Sequence, residues 1–199
     1  MATTSRWIPR ATQVVLLLAG AGCGENEPNV PPEVLFIASG SLTNRSGQPI
    51  PSTARVVVGW SVTANGPDYT YVLGAGTIQG STFNVVFHHL PPAEALNSDQ
   101  LGVGIVFLST NPDVTDGDHL EDVVLDPAEI IGATGRFAVI YKATDVVDQV
   151  DWEGAFPLGW NAGIGVDRVG NFDAFAPTPT ASMELIVDDL NNIDFVEWS

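Results

Sequence analysis

The rhythm of its apolar runs constrains this chain more than any other feature. From Val34 onward, stretches rich in Val, Ile, Phe, Tyr and Thr are broken at intervals of about ten residues by turn-forming clusters. Val34–Leu42 ends in Thr43-Asn44-Arg45-Ser46-Gly47, and Ala54–Thr63 ends at Asn65-Gly66-Pro67-Asp68. Tyr69–Gln79 and Thr82–His89 flank Gly80-Ser81, the pattern of a tight hairpin. Within the first of these, Gly74-Ala75-Gly76 reads as a bulge or a point of close packing. Leu101–Ser109 alternates Gly102 and Gly104 with bulky residues, which predicts a strand packed closely against backbone. Arg136–Lys142 and Met183–Asp188 read as further strands, with shorter ones at Ile164–Asp167 and Ile193–Trp198. Pro91–Leu96 and Thr144–Val150 allow at most short helical turns. No helical run is long enough to cross over between parallel strands, which argues against an α/β fold. The pattern predicts an all-β domain, a sandwich or barrel, and an antiparallel β-sandwich is the expectation carried forward.

The stretch Ser39-Gly40-Ser41-Leu42, then Ser46-Gly47-Gln48-Pro49-Ile50-Pro51-Ser52-Thr53-Ala54-Arg55-Val56-Val57-Val58, resembles the opening of transthyretin-like and carboxypeptidase-regulatory-like sandwiches. In those folds a strand, a Gly-Xaa-Pro turn and an Ala-Arg-Val strand recur. The resemblance implies an immunoglobulin-like or transthyretin-like sandwich and carries no function with it.

The N-terminus is of a different kind. Arg6 and Arg10 precede the uncharged run Ala11–Gly22, whose apolar heart is Val14–Ala19, and Gly20-Ala21-Gly22-Cys23 follows. A basic segment, a short apolar segment and small residues form a secretory signal. The apolar run is too short to span a bilayer, which takes roughly 20 residues. With Cys23 directly after the small residues, the segment resembles the lipobox of bacterial lipoproteins, although Gly20 stands where such proteins usually carry Leu. The resemblance implies cleavage before Cys23, a thioether from its sulfur to diacylglycerol, and a further acyl chain such as palmitate on its freed amine. Two or more acyl chains anchor a protein stably where one does not. Gly24 is not the Asp that often retains such proteins at the inner membrane, so the implied location is the cell envelope, at the outer membrane. Residues 1–22 are then signal peptide, 23–32 the lipidated cysteine and an extended tether, and 33–199 one domain. Cys23 is the only cysteine, so no internal disulfide forms and stability rests on burial.

Charge narrows the partners. The chain has 24 acidic and 7 basic residues, a net charge of −17. Loss of Arg6 and Arg10 with the signal brings it to −19. Such a field repels nucleic acid and anionic lipid and attracts divalent cations. Disorder is excluded by the 45% hydrophobic content and by Trp60, Trp152, Trp160 and Trp198.

The acids concentrate between Asn111 and Glu129. Calcium takes six to eight oxygens around a tight loop, and Asp116-Gly117-Asp118 offers the turn. Asp113, Asp116, Asp118, Glu121 and Asp122 are therefore a candidate Ca²⁺ site, weighed against a plain solvated loop. The register is not that of an EF-hand, because with Gly117 at the sixth position the first and third fall on Pro112 and Val114. His88 and His89, adjacent on a strand, point to opposite faces and do not readily share a zinc ion with His119. Neither a Gly-Xaa-Ser-Xaa-Gly elbow nor a phosphate-binding Gly-Lys-Ser/Thr loop is present, and no catalytic residue is assigned.

Tyr69, Tyr71, Trp152 and Trp160 form the other candidate group. Tyr69 and Tyr71 share a strand face, and exposed Trp and Tyr make platforms for sugar rings or protein partners; burial in the core is the competing role. The functional expectation is a membrane-anchored, non-enzymatic envelope lipoprotein of structural or binding role, with calcium as a candidate stabiliser. A glycan-binding module and an acid- or metal-dependent hydrolase are its rivals.

Overall fold

The computed structural model describes residues 32–61, 69–96, 100–114, 127–144, 156–166 and 174–195. A compact unit runs Pro32–Ser199. Its strands are β1 (Phe36–Asn44), β2 (Arg55–Ser61), β3 (Tyr69–Gln79), β4 (Thr82–Phe87), β5 (Leu101–Ser109), β6 (Ile130–Lys142), β7 (Gly159–Val166), β8 (Ala174–Thr178) and β9 (Met183–Val187). Single 3-10 turns at Ala93–Ala95, Pro127–Glu129, Thr180–Ser182 and Leu190–Asn192 are the helical content of the described residues. The all-β expectation holds.

The strands close into a ring. Their order is β5-β2-β3-β4-β1-β9-β6, and β5 pairs with β6 to complete a seven-stranded barrel, with β7 and β8 continuing the sheet beyond β6. The described pairs are antiparallel except β1 with β9, which run parallel from Gly40 opposite Met183 to Asn44 opposite Val187. This corrects the antiparallel β-sandwich, immunoglobulin-like or transthyretin-like, expected from the sequence. Two opposed sheets need free edges, and here β9 joins β1 to β6 while β5 joins β6 to β2, so the ring has none.

Side-chain alternation explains which residues fill the lumen. Ala38 of β1, Val56, Val58 and Trp60 of β2, and Phe83, Val85 and Phe87 of β4 share one buried cluster. So do Val106 and Leu108 of β5, Val139 of β6 and Met183, Leu185 and Val187 of β9. Within a strand these positions lie two apart, as a pleated strand requires. Val57, Leu101, Val103, Ile105 and Phe107 face the other way into a second cluster with Ala138, Ile140, Phe156, Phe175 and Ile193. β5 is thus covered on both faces, and all nine of its residues are buried. That is why its sequence is a continuous apolar run rather than an alternating one.

β6 changes partners halfway along. Gly132 and Ala133 pair with β9, whereas Phe137–Lys142 pair with β7. Between them the register to β5 slips, between Ile105 and Phe107, and Gly135 takes φ +56°, a bulge position that favours glycine. The buried Thr134 side chain secures the bulge: Thr134 Oγ1 donates to the Phe137 carbonyl at 2.8 Å and lies 3.4 Å from the Val106 amide. Thr134→Val keeps the shape but orphans those groups. It should cost about 1–2 kcal/mol, a fall in Tm of roughly 2–8 °C, read by thermal melting. An unchanged Tm would show that the hydroxyl does not hold the bulge.

Several local expectations meet their outcome here. Gly80-Ser81 form a two-residue hairpin loop with Gln79 opposite Thr82. A register slip between Val57 and Gly59 marks an irregularity opposite Gly74-Ala75-Gly76. A 3-10 turn lies within Pro91–Leu96. Of the expected strand Ile164–Asp167, Ile164–Val166 are the end of a longer strand, β7, and Asp167 lies outside the described residues; β8 has no counterpart among the expected strands. Ile193–Phe195 are not a strand; Ile193 instead closes the outer cluster. Residues 145–150 of the expected Thr144–Val150 turn lie outside the described residues.

Candidate functional site

The strand directions gather aromatic residues at one end of the barrel. β1 and β7 begin there, while β2, β4 and β6 end there. Each contributes a ring near its terminus: Phe36, Trp160, Trp60, Phe87 and Tyr141. The Trp160 ring is central. It lies parallel to Phe36, with centroids 5.7 Å apart and planes 7° apart, and edge-on to Trp60 at 5.7 Å. It also packs at 4.6 Å against Phe87 and 5.0 Å against Tyr141. Here β1 and β6 are no longer joined by β9, and the Phe36–Trp160 stack links β1 to β7. Offset and edge-on aromatic pairs contribute about 0.5–1.5 kcal/mol each beyond the area they bury.

Two polar atoms are enclosed with these rings. Trp60 Nε1 and Trp160 Nε1 are buried and have no hydrogen-bond acceptor. Room for Trp60 comes from β5. A Cβ on Gly102 would stand 2.7 Å from Trp60 Cζ3, and one on Gly104 would stand 3.0 Å from Trp60 Cε2 and 2.7 Å from Val58 Cγ1. The close approach foreseen for Leu101–Ser109 is therefore chiefly to an indole ring rather than to backbone. At the end of β6, buried Lys142 donates from Nζ to the Phe156 carbonyl at 3.1 Å, tying that strand to the chain that leads into β7.

The same end carries an apolar rim. Val34, Leu35, Ile37, Leu90 and Leu158 are 39–54% exposed, and they are the large hydrophobic residues so exposed among the described residues. Val34 and Leu35 lie where the chain enters the compact unit. The Leu35 amide donates to the Phe87 carbonyl at 2.8 Å, and His88 Nδ1 lies 3.0 Å from the Glu33 carbonyl. Ile37 stands opposite Val86 of β4, and Leu90 lies three residues beyond the end of that strand. Leu158 immediately precedes β7, two residues before Trp160.

The opposite end holds a cleft of about 720 Å³, lined in part by Ile50, Ile131, Val187 and Leu190 with Asp188 and Asp189 beside them. Both carboxylates are engaged locally. Asp188 Oδ1 accepts from the Asp189 amide and Asn192 Nδ2, and Asp189 Oδ1 accepts from the amide and Nδ2 of Asn191. They cap the Leu190–Asn192 turn, as Asp does at helix starts. Among the described residues no group of three His, Cys, Asp or Glu is placed to hold a metal ion.

The sequence candidates fall as follows. Asp113 is exposed, and its amide donates to Asn111 Oδ1 at 2.9 Å in an Asx turn. Asp116, Asp118, Glu121 and Asp122, together with Cys23, His119 and Trp152, lie outside the described residues. Tyr69 and Tyr71 are on β3, opposite Ser61 and Trp60. Trp160 is half-buried in the ring cluster. Phe36, Trp60, Phe87 and Tyr141 were not singled out from the sequence. A signal for them existed: in a chain of antiparallel strands, the end of one and the start of the next lie together, and each of these rings sits near such a terminus. The chain matches no family model, no curated protein and no solved structure.

Proposed function

We propose that the protein is a non-enzymatic lipoprotein of the cell envelope, held to the outer membrane by acyl chains on Cys23, whose barrel serves as a structural or binding module. The observation that carries this reading is where the compact unit starts. It begins at Pro32, so only residues 24–31 separate it from the cysteine of the lipobox-like segment. That is the layout of a domain joined to its anchor by a short segment. Among the described residues no helix is long and apolar enough to cross a membrane, and the anchor supplies an attachment that needs none. A lumen filled by Trp60, Phe83, Phe87, Met183 and Leu185 supports a module that works through its outer surface.

The test is Cys23→Ser in the producing cell. The native protein should partition with membranes, with an N-terminal peptide whose mass includes acyl groups. The variant should keep its signal peptide uncleaved at this site and carry no acyl mass. A free thiol on Cys23 of the native, membrane-recovered protein would sink the reading.

A further inference from the structure

We infer that the apolar rim of Val34, Leu35, Ile37, Leu90 and Leu158 is a bilayer-docking surface, which seats the barrel end-on at the boundary between headgroups and acyl chains. This rests on the lipid-anchor reading, because the anchor says which surface the rim meets. The distribution of apolar exposure is the first argument. Exposed single hydrophobes are ordinary when scattered. Here the five are gathered at one end, around the point where the chain enters the domain. The second argument is reach. At about 3.6 Å per residue the chain from Cys23 to Val34 spans no more than about 40 Å, so an anchored Cys23 holds the point where the chain enters this end of the barrel within that distance of the membrane, where the rim can reach it. The third is effective concentration. A short tether presents the rim to lipid at a concentration in the mM range, so a contact too weak to recruit the free domain still orients the anchored one.

The rim has a chemical preference as well. Its neighbours include Glu33 and His88, on a processed chain of net charge −19 after loss of Arg6 and Arg10. Docking is then apolar, favours a zwitterionic surface, and is opposed by anionic lipid at low salt.

The experiment uses the native lipidated protein in phosphatidylcholine vesicles, with a nitroxide on Leu158→Cys or, at the far end, on Gln48→Cys. The Leu158 probe should be open to membrane-dissolved oxygen and shielded from a water-soluble nickel chelate, and the Gln48 probe the reverse. Two equally aqueous probes on vesicle-bound protein would overturn the docking while leaving the anchor standing. Labelling of the unsubstituted protein at Cys23, with no flotation, would overturn the anchor instead. Docking is then read separately in the mature chain made from residue 23 onward without its signal segment and carrying Cys23→Ser, at millimolar lipid to match the effective concentration that the tether supplies. There, changing Leu35, Leu90 and Leu158 together to Asp should weaken vesicle binding at least tenfold with Tm unchanged. No weakening refutes the rim, as does binding that strengthens when phosphatidylglycerol is added. A concentration-dependent dimer abolished by the same three changes would assign the rim to a second copy of the chain, and also refutes lipid docking.

Discussion

Trp60→Ala should lower stability by about 4 kcal/mol, and Tm by roughly 8–16 °C. Trp60 is fully buried in the lumen cluster. Its hole cannot collapse readily, because Gly102 and Gly104 wall one side and carry no side chain to fall inward. Trp160, edge-on to it, would lose its support as well. Against a typical total of about 5–15 kcal/mol the loss is severe. Trp60→Phe should behave differently, costing no more than about 1.5 kcal/mol. It keeps most of the packing, and the N–H it removes has no acceptor, so no bond is lost and an unmet desolvation cost of about 1–3 kcal/mol disappears. The same geometry couples the ring to its wall. Gly102→Ala, whose added Cβ would stand 2.7 Å from Trp60 Cζ3, should destabilise the native protein by about 2 kcal/mol, and by less in the Trp60→Phe background, where that atom is gone. Urea titration of the native protein and the four variants measures all of this. Equal costs for Trp60→Ala and Trp60→Phe would show that the indole does not fill the lumen as described.

Strand content was legible in this sequence because it is written locally. Tyr69–Gln79 and Leu101–Ser109 match β3 and β5 end to end, since each is bounded by turn chemistry and built of β-formers. β8 was not legible. Its sequence Ala-Phe-Ala-Pro-Thr is short and holds a proline, which marks an edge strand, and it pairs only with β7 in the described sheet. The first half of β6 was also missed. Ile130–Thr134 leads into a glycine that looks like a strand's end but makes a bulge within it. Closure was illegible for a deeper reason. Whether β9 lies at a free edge or wedges between β1 and β6 depends on pairing with residues 143 positions back in β1 (Gly40 with Met183) and 55 back in β6 (Gly132 with Val187), and a parallel neighbour leaves no hairpin signature. The site divides in the same way. Trp160 was visible as an aromatic, but its partners Phe36, Trp60, Phe87 and Tyr141 come from four other strands and meet only after the ring has formed.

Closure of the ring should be the most fragile step, and Gly40 the residue on which it depends. Gly40 stands opposite Phe83 of β4 on one side and Met183 of β9 on the other. A Cβ there would overlap the Met183 carbonyl oxygen and come within 2.8 Å of Phe83 Cε1. The carbonyl belongs to backbone and cannot swing aside as a side chain can. Gly40→Val should therefore cost at least about 3 kcal/mol, the upper range for overpacking, with Gly40→Ala somewhat below it. Gly47→Ala is the control. Gly47 has φ +70° and nothing within 4 Å of an added Cβ, so only the left-handed backbone penalty of about 1–2 kcal/mol applies. The two sites thus separate crowding from conformation. Hydrogen exchange locates the damage: in Gly40→Ala the amides of Met183–Val187 should exchange faster through local opening, at urea concentrations where β2 and β5 remain protected. If Gly40→Ala costs no more than Gly47→Ala, β9 tolerates a side chain at the seam and the ring is not closed through a tight β1–β9 contact. If instead β9 and β5 lose protection together, the seam opens only with global unfolding, and the parallel strand is as integral to the barrel as its antiparallel neighbours.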